Sequence, residues 1–181
     1  MSHRPYTGTQ DAPGTKTAEG CLELMRLLNK TWGFTFHGGF NNRPILSGPS
    51  KGKLSVHATG RAIDVKYPRT RYGRNQAVQV WVWLMQNSAT LQIEAAHDYA
   101  YQKLGDRRAY GRGYQCSRGE GCDPGAVVEF DSKRNAGSLG GNWLHIELAP
   151  ALAHDRKALR DAWMDCAKPV PLLKPRSRQA R

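Results

Sequence analysis

His57 and Asp64 stand seven positions apart around Gly60 in the segment Ser55-Val56-His57-Ala58-Thr59-Gly60-Arg61-Ala62-Ile63-Asp64. A second imidazole, His145, lies far downstream in Trp143-Leu144-His145-Ile146-Glu147. Two imidazole nitrogens and one carboxylate oxygen make a three-ligand set for zinc, and a catalytic zinc keeps its fourth position for water. Hydrolysis by activated water is the chemistry such a set serves. A single histidine in a strand carries little weight, being more often a hydrogen-bonded core residue than a ligand. The joint arrangement is more specific. Gly60 permits a tight turn that brings His57 and Asp64 to one point. Asp64 interrupts the apolar run Ala62-Ile63-Asp64-Val65, where a buried carboxylate without a partner is costly and a metal ion removes the cost.

These residues need a scaffold of strands and helices to meet. Residues 1–16 lack periodicity and read as a loosely held arm, 17–167 as one domain, and 168–181 as a Pro/Arg-rich tail or linker. Thr17 is placed to cap a helix running to about Thr31, with Cys21, Leu22, Leu24, Met25 and Leu28 at helical spacings and Gly33 as its stop. Phe34 to His37 alternates like a strand and Gly38-Gly39 breaks it; Phe40 to Leu54 is loop. Ala62 to Val65 reads as a core strand, and Pro68 to Arg74 as a basic turn. Gln76 to Asn87 fits both periods, and its length favours helix over strand. Leu91 to Ala96 is a short strand ending at His97-Asp98-Tyr99. Tyr101 to Gly125 is rich in Arg, Gly and Tyr and reads as a long loop. Val127 to Phe130 and Trp143 to Leu148 are two more strands, joined by a glycine-rich turn at Gly137 to Gly141. Asp155 to Cys166 is a closing helix with Leu159, Ala162, Trp163 and Cys166 on one face. His145 therefore falls in a strand able to pair beside that of Asp64.

A chain of 181 residues has room for one domain with a real core. It contains no apolar run long enough to cross a membrane, and its first residues lack the apolar centre of a secretory signal. The net charge of +12 is the unusual bulk property. It is explained by basic tails and solubility, or by an anionic polymer partner, either nucleic acid or a bacterial cell wall. The arginines are scattered and no nucleic-acid-binding motif accompanies them, which makes nucleic acid the weaker choice. Cys21, Cys116, Cys122 and Cys166 form no CxxC pair. Cys116 and Cys122 bracket a loop that a disulfide would close, and four reduced thiols are an equally good reading.

The ten residues from Ser55 to Asp64 resemble the SxHxxGxAxD motif of the LAS metallopeptidases, matching at Ser55, His57, Gly60, Ala62 and Asp64. That group includes D-alanyl-D-alanine carboxypeptidases, phage endolysin endopeptidases and the zinc-bearing hedgehog signalling domain. Trp143-Leu144-His145-Ile146 is similar to the group's second signature, a flanked histidine on a late strand. The resemblance spans about Thr17 to Ala149. It implies an α+β fold, a small antiparallel sheet flanked by helices, with zinc held by His57, Asp64 and His145. It also implies hydrolysis of a peptide bond in peptidoglycan. A cation in the loop before the motif binds the carbonyl oxygen in such relatives, and Arg43 occupies roughly that place. Many relatives carry Glu or Asp three residues before the late histidine as the base, where this chain has Asn142. An amide is no base at neutral pH, so the role passes to another residue or the domain is inactive. Glu147, on the same strand face as His145, is favoured, with Glu129 and Asp131 as other choices.

The leading expectation is a zinc-dependent peptidoglycan endopeptidase, the catalytic domain of a phage endolysin. Such a protein is made in the host cytoplasm without a signal peptide and acts on the wall, and its Pro/Arg-rich end suits a linker to a wall-binding domain. A D-alanyl-D-alanine carboxypeptidase is the second expectation. A catalytically inactive zinc-containing wall-binding or structural module is the third, kept open by Asn142.

Overall fold

The computed structural model describes residues 3–8, 10–46, 50–101, 111–130 and 140–168. Its centre is a six-stranded sheet in which every neighbouring pair is antiparallel. The strands are β1 (Thr35–Gly38), β2 (Ala62–Lys66), β3 (Ile93–Asp98), β4 (Arg112–Gln115), β5 (Val127–Glu129) and β6 (Trp143–Leu148), in the order β1-β2-β6-β3-β4-β5. Five helices accompany them among the described residues: α1 (Glu19–Trp32), α2 (Val56–Thr59), α3 (Arg71–Gln86), α4 (Pro150–His154) and α5 (Arg156–Asp165). The chain is thus an α+β domain with an antiparallel sheet, as expected.

The sheet has two unlike faces because side chains alternate along a strand. Ile63 and Val65 of β2, Leu144 and Ile146 of β6, and Ala96 of β3 point into one core with Leu24 and Leu28 of α1 and Val80 and Leu84 of α3. The opposite face carries Asp64, His145, Glu147 and His97. Helices α1, α3 and α5 form where the sequence indicates, while α2 and α4 were not expected. α1 ends at Gly33, whose φ of 74° lets its N–H close on the Asn29 carbonyl. α3 starts five residues before the expected Gln76, because the Thr70 hydroxyl accepts from the Gly73 N–H and caps it. α5 is capped in the same way by Asp155, which accepts from Ala158 N–H.

Four expectations need correction. Thr17 does not cap α1. Its hydroxyl accepts the Phe40 N–H at 2.7 Å, tying the loop after β1 to the start of the helix. The stretch from Tyr101 to Gly125 is not all loop: Arg112–Gln115 forms β4 against β3, and Cys116–Arg118 makes a single 3-10 turn. The strands at Val127 and Trp143 are not neighbours, since β6 inserts between β2 and β3 while β5 lies at the far edge. The turn expected at Gly137 to Gly141 falls mostly outside the described residues, as does the tail beyond Lys168.

The fourth correction concerns the first sixteen residues, which are tied down where they are described. Arg4 donates to Glu120 at 2.8 Å and to the Ile93 carbonyl at 2.9 Å. The Thr7 hydroxyl donates to Glu94 at 2.8 Å, and Asp11 pairs with the fully buried Arg61. Gly14 and Ala18 donate backbone hydrogen bonds to Ala58 and Gly60. A segment without internal periodicity is held here by partners distant in sequence. All four cysteines are free thiols, Cys122 exposed and the others buried.

Candidate metal centre

Each of the three expected ligands is placed by a different device. His57 lies in the single turn α2, whose first N–H groups are met by Ser55: its hydroxyl accepts from His57 N–H at 3.3 Å. Gly60 ends that turn with φ of 81°, and a side chain there would collide with the Lys16 carbonyl, so glycine is required twice over. The chain then enters β2 with Asp64 pointing to the same side. His145 arrives by strand register alone: Asp64 is directly opposite His145 on β6, and His145 is directly opposite His97 on β3. Asp64, His145 and His97 therefore form a row across three adjacent strands.

The ligand atoms converge. His57 Nε2 is 3.2 Å from His145 Nδ1, His145 Nδ1 is 2.9 Å from Asp64 Oδ1, and His57 Nε2 is 3.4 Å from Asp64 Oδ2. A tetrahedral zinc at roughly 2.0–2.1 Å from its ligands separates them by about 3.3 Å. The donor set therefore fits that ion without rearrangement of the backbone. The far nitrogens of both rings are held by carbonyl and carboxylate partners. His57 Nδ1 donates to the Gly39 carbonyl at 2.7 Å, and His145 Nε2 donates to Glu147 Oε1 at 2.8 Å. These bonds turn His57 Nε2 and His145 Nδ1 toward the cluster, the outer arrangement metal-binding histidines use; Nδ1 of His145 offers a lone pair once it gives up the proton it shares with Asp64.

The electrostatics agree with a site that draws positive charge. Burial by itself would lower the pKa of His145, but its hydrogen bonds to Asp64 and Glu147 outweigh burial and push it up to about 10. Against the same opposing burial, the imidazoles hold Asp64 well below the usual carboxylate range, and His145 keeps Glu147 low. Two carboxylates thus compete for one ring, and either a proton or a metal ion satisfies them.

The cluster opens on a cavity of about 450 Å³. Arg43 stands on its wall with Ile45, Leu46, Tyr99 and Trp143, so the expected cation does share the site. Glu147 also lines it, but both its oxygens are engaged, Oε1 by His145 and Oε2 by the Tyr6 hydroxyl at 2.8 Å. The carboxylate favoured as base is thereby placed as the group that holds His145. Asn142 sits elsewhere. It donates to the Tyr67 carbonyl at 2.6 Å and accepts from Arg69 at 3.2 Å, fastening the ends of β2 and β6 outside the cavity. Glu129 is on the far strand β5, where it accepts from the Tyr101 hydroxyl at 2.6 Å; Asp131 lies outside the described residues.

Two residues at the site went unassigned in the sequence. His97 lines the cavity, its ring 5.5 Å from that of His145, and its Nδ1 is buried without a hydrogen-bond partner. Burial, then the neighbouring His145, lowers its pKa to about 4, so it is a neutral imidazole. Its place at a strand end two residues before Tyr99 was visible, but the register that aligns it with His145 was not. Tyr6 gave no sequence signal, because its partner is 141 residues away. No protein-family model matches the chain, and neither a curated protein nor a solved structure matches it.

Proposed function

We propose that this chain is a zinc-dependent peptidoglycan peptidase, acting as an endopeptidase on stem peptides or crosslinks in the manner of a phage endolysin catalytic domain. The observation that carries the reading is the convergence of His57 Nε2, His145 Nδ1 and Asp64 at one open cavity. Zinc bound there supplies a Lewis acid for the scissile carbonyl and activates water for attack. Gly39 and Glu147 keep the two imidazoles in the ligating tautomer. Arg43 binds carbonyl or carboxylate oxygens of the substrate at the cavity wall. His97, an imidazole lining the cavity beside His145, is the proton acceptor in this reading and later returns that proton to the leaving amine; its Nδ1 is sealed from solvent, so the exchange would pass through Nε2. The peptidoglycan substrate rests on the motif resemblance and on the net charge of +12, which suits an anionic wall.

A carboxypeptidase trimming terminal D-alanine is the second reading, favoured by the Arg43 guanidinium, which can pair with a free terminal carboxylate. One experiment separates the readings. Purified peptidoglycan is incubated with wild type or His145→Ala, with and without zinc, and turbidity and fragment masses are followed. An endopeptidase lowers turbidity and releases fragments only when zinc and His145 are both present. Release of single alanines without loss of turbidity selects the carboxypeptidase. Zinc-loaded wild type that binds the wall and releases nothing defeats both.

A further inference from the structure

The N-terminal arm reaches the candidate metal centre from behind. Tyr6 is suspended between two anchors. On one side Arg4 spreads its guanidinium over Glu120, the Ser88 carbonyl and the Ile93 carbonyl, at 2.8, 3.2 and 2.9 Å. On the other, Thr7 is gripped by Glu94 through both its N–H and its hydroxyl, and its hydroxyl also accepts from Arg61 at 3.1 Å. Between these anchors the Tyr6 hydroxyl donates to Glu147 Oε2 at 2.8 Å, and Glu147 Oε1 accepts from His145 Nε2 at 2.8 Å. The resulting chain runs from Tyr6 through Glu147 to His145, and its last member faces the other two ligands.

We propose that Tyr6 is a positioning residue of the metal centre, so that the arm sets how tightly zinc is held. This rests on the metal reading of His57, Asp64 and His145. The physical reason is the geometry of a buried carboxylate. Glu147 is almost fully buried, and its two oxygens are fixed by one donor each. Without the phenol, Oε2 has lost its fixed donor and the carboxylate is free to turn about its own bond, carrying Oε1 away from the line of the His145 N–H. The ring then loses the partner that holds Nδ1 toward the cluster. Outer partners of this kind are worth about 10- to 100-fold in metal affinity.

The test compares Tyr6→Phe with Thr7→Val in the 181-residue chain. Thr7→Val removes both hydrogen bonds of the Thr7 hydroxyl, to Glu94 and from Arg61, neither of which reaches Glu147. Zinc affinity is measured by competition with a chromophoric chelator, and the melting temperature is measured on zinc-free protein. The expected result is a zinc Kd raised about 10- to 100-fold in Tyr6→Phe and unchanged in Thr7→Val, with the two zinc-free proteins melting alike. Wild-type affinity in Tyr6→Phe overturns the proposal. So does a loss of affinity in both variants that follows their loss of zinc-free stability, since the arm is then only a structural brace. Failure of the wild type itself to bind zinc defeats the metal reading, an outcome distinct from the other two.

Discussion

The two faces of the sheet bury acidic groups in opposite ways. On the core face, Asp98 is fully buried and closed by arginines. Arg74 from α3 grips it with two parallel bonds at 2.7 and 2.8 Å, and Arg112 from β4 adds a third at 3.3 Å. On the cavity face, Asp64 of β2 and Glu147 of β6 meet imidazoles instead. A guanidinium is permanently charged and completes the first group by itself. An imidazole changes its charge and has a lone pair to give, so the second group is completed only by something that arrives from solution. The first arrangement is a structural joint; the second is a group of side chains that could hold a metal ion.

Substitutions that treat the faces separately sharpen the contrast. His97→Ala, on the cavity face, is expected to lower wall hydrolysis by about 10²- to 10⁴-fold while zinc affinity by chelator competition stays within twofold of wild type; equal losses in both would remove the proton-transfer role. Asp98→Ala leaves two arginines unpaired under the sheet, and a cost of about 3–5 kcal/mol is expected in urea denaturation. An unchanged midpoint would mean that the core face does not depend on that pairing. Zinc at a hundred times its Kd should add about 2.7 kcal/mol to wild-type stability and nothing to His145→Ala, a difference that chelator reverses in a melting curve.

The smallest expected effect comes from a third acidic group, Glu23 of α1. Arg26 binds it at 2.6 Å, and Arg156 and Arg160 approach within 3.1 Å. The hydrogen bond from Arg26 leads in holding its carboxyl down to about 2, below the ordinary 4.5. The folded form therefore binds this proton less readily than the unfolded chain does. The contribution is present above pH 4.5 and fades as the pH falls toward 2. Glu23→Gln should lower stability by a near-constant amount above pH 4.5, leave it unchanged near pH 2, and so flatten that part of a stability–pH curve measured by urea denaturation.

Legibility in the sequence divides along similar lines. His57, Asp64 and His145 were readable because a glycine turn and an apolar strand force the first two together and a polar residue inside an apolar run asks for a partner. The helices α1, α3 and α5 were readable from period and length. Strand order was not, since nothing local says that β6 pairs with both β2 and β3. The same long-range ladder aligns His97 with His145, and so hid it. Tyr6 and Arg4 sit in a segment without periodicity, and their partners Glu147 and Glu120 are more than a hundred residues distant. Thr17 shows the converse error, a residue with the right chemistry for a helix cap spending its hydroxyl on the Phe40 N–H instead.

The insertion of β6 between β2 and β3 has a consequence for how the protein comes into being. As the chain leaves the ribosome, β2 and β3 both emerge with an unpaired edge turned toward the same gap, and open edges invite pairing with other chains. The strand that fills this gap is the last of the six and carries His145. Closure of the sheet, burial of the exposed edges and assembly of the His57, Asp64 and His145 cluster are therefore one late event, built on contacts far apart in sequence and correspondingly slow to form. A nascent or truncated chain that stops short of residue 143 has neither a continuous sheet nor the complete cluster of His57, Asp64 and His145.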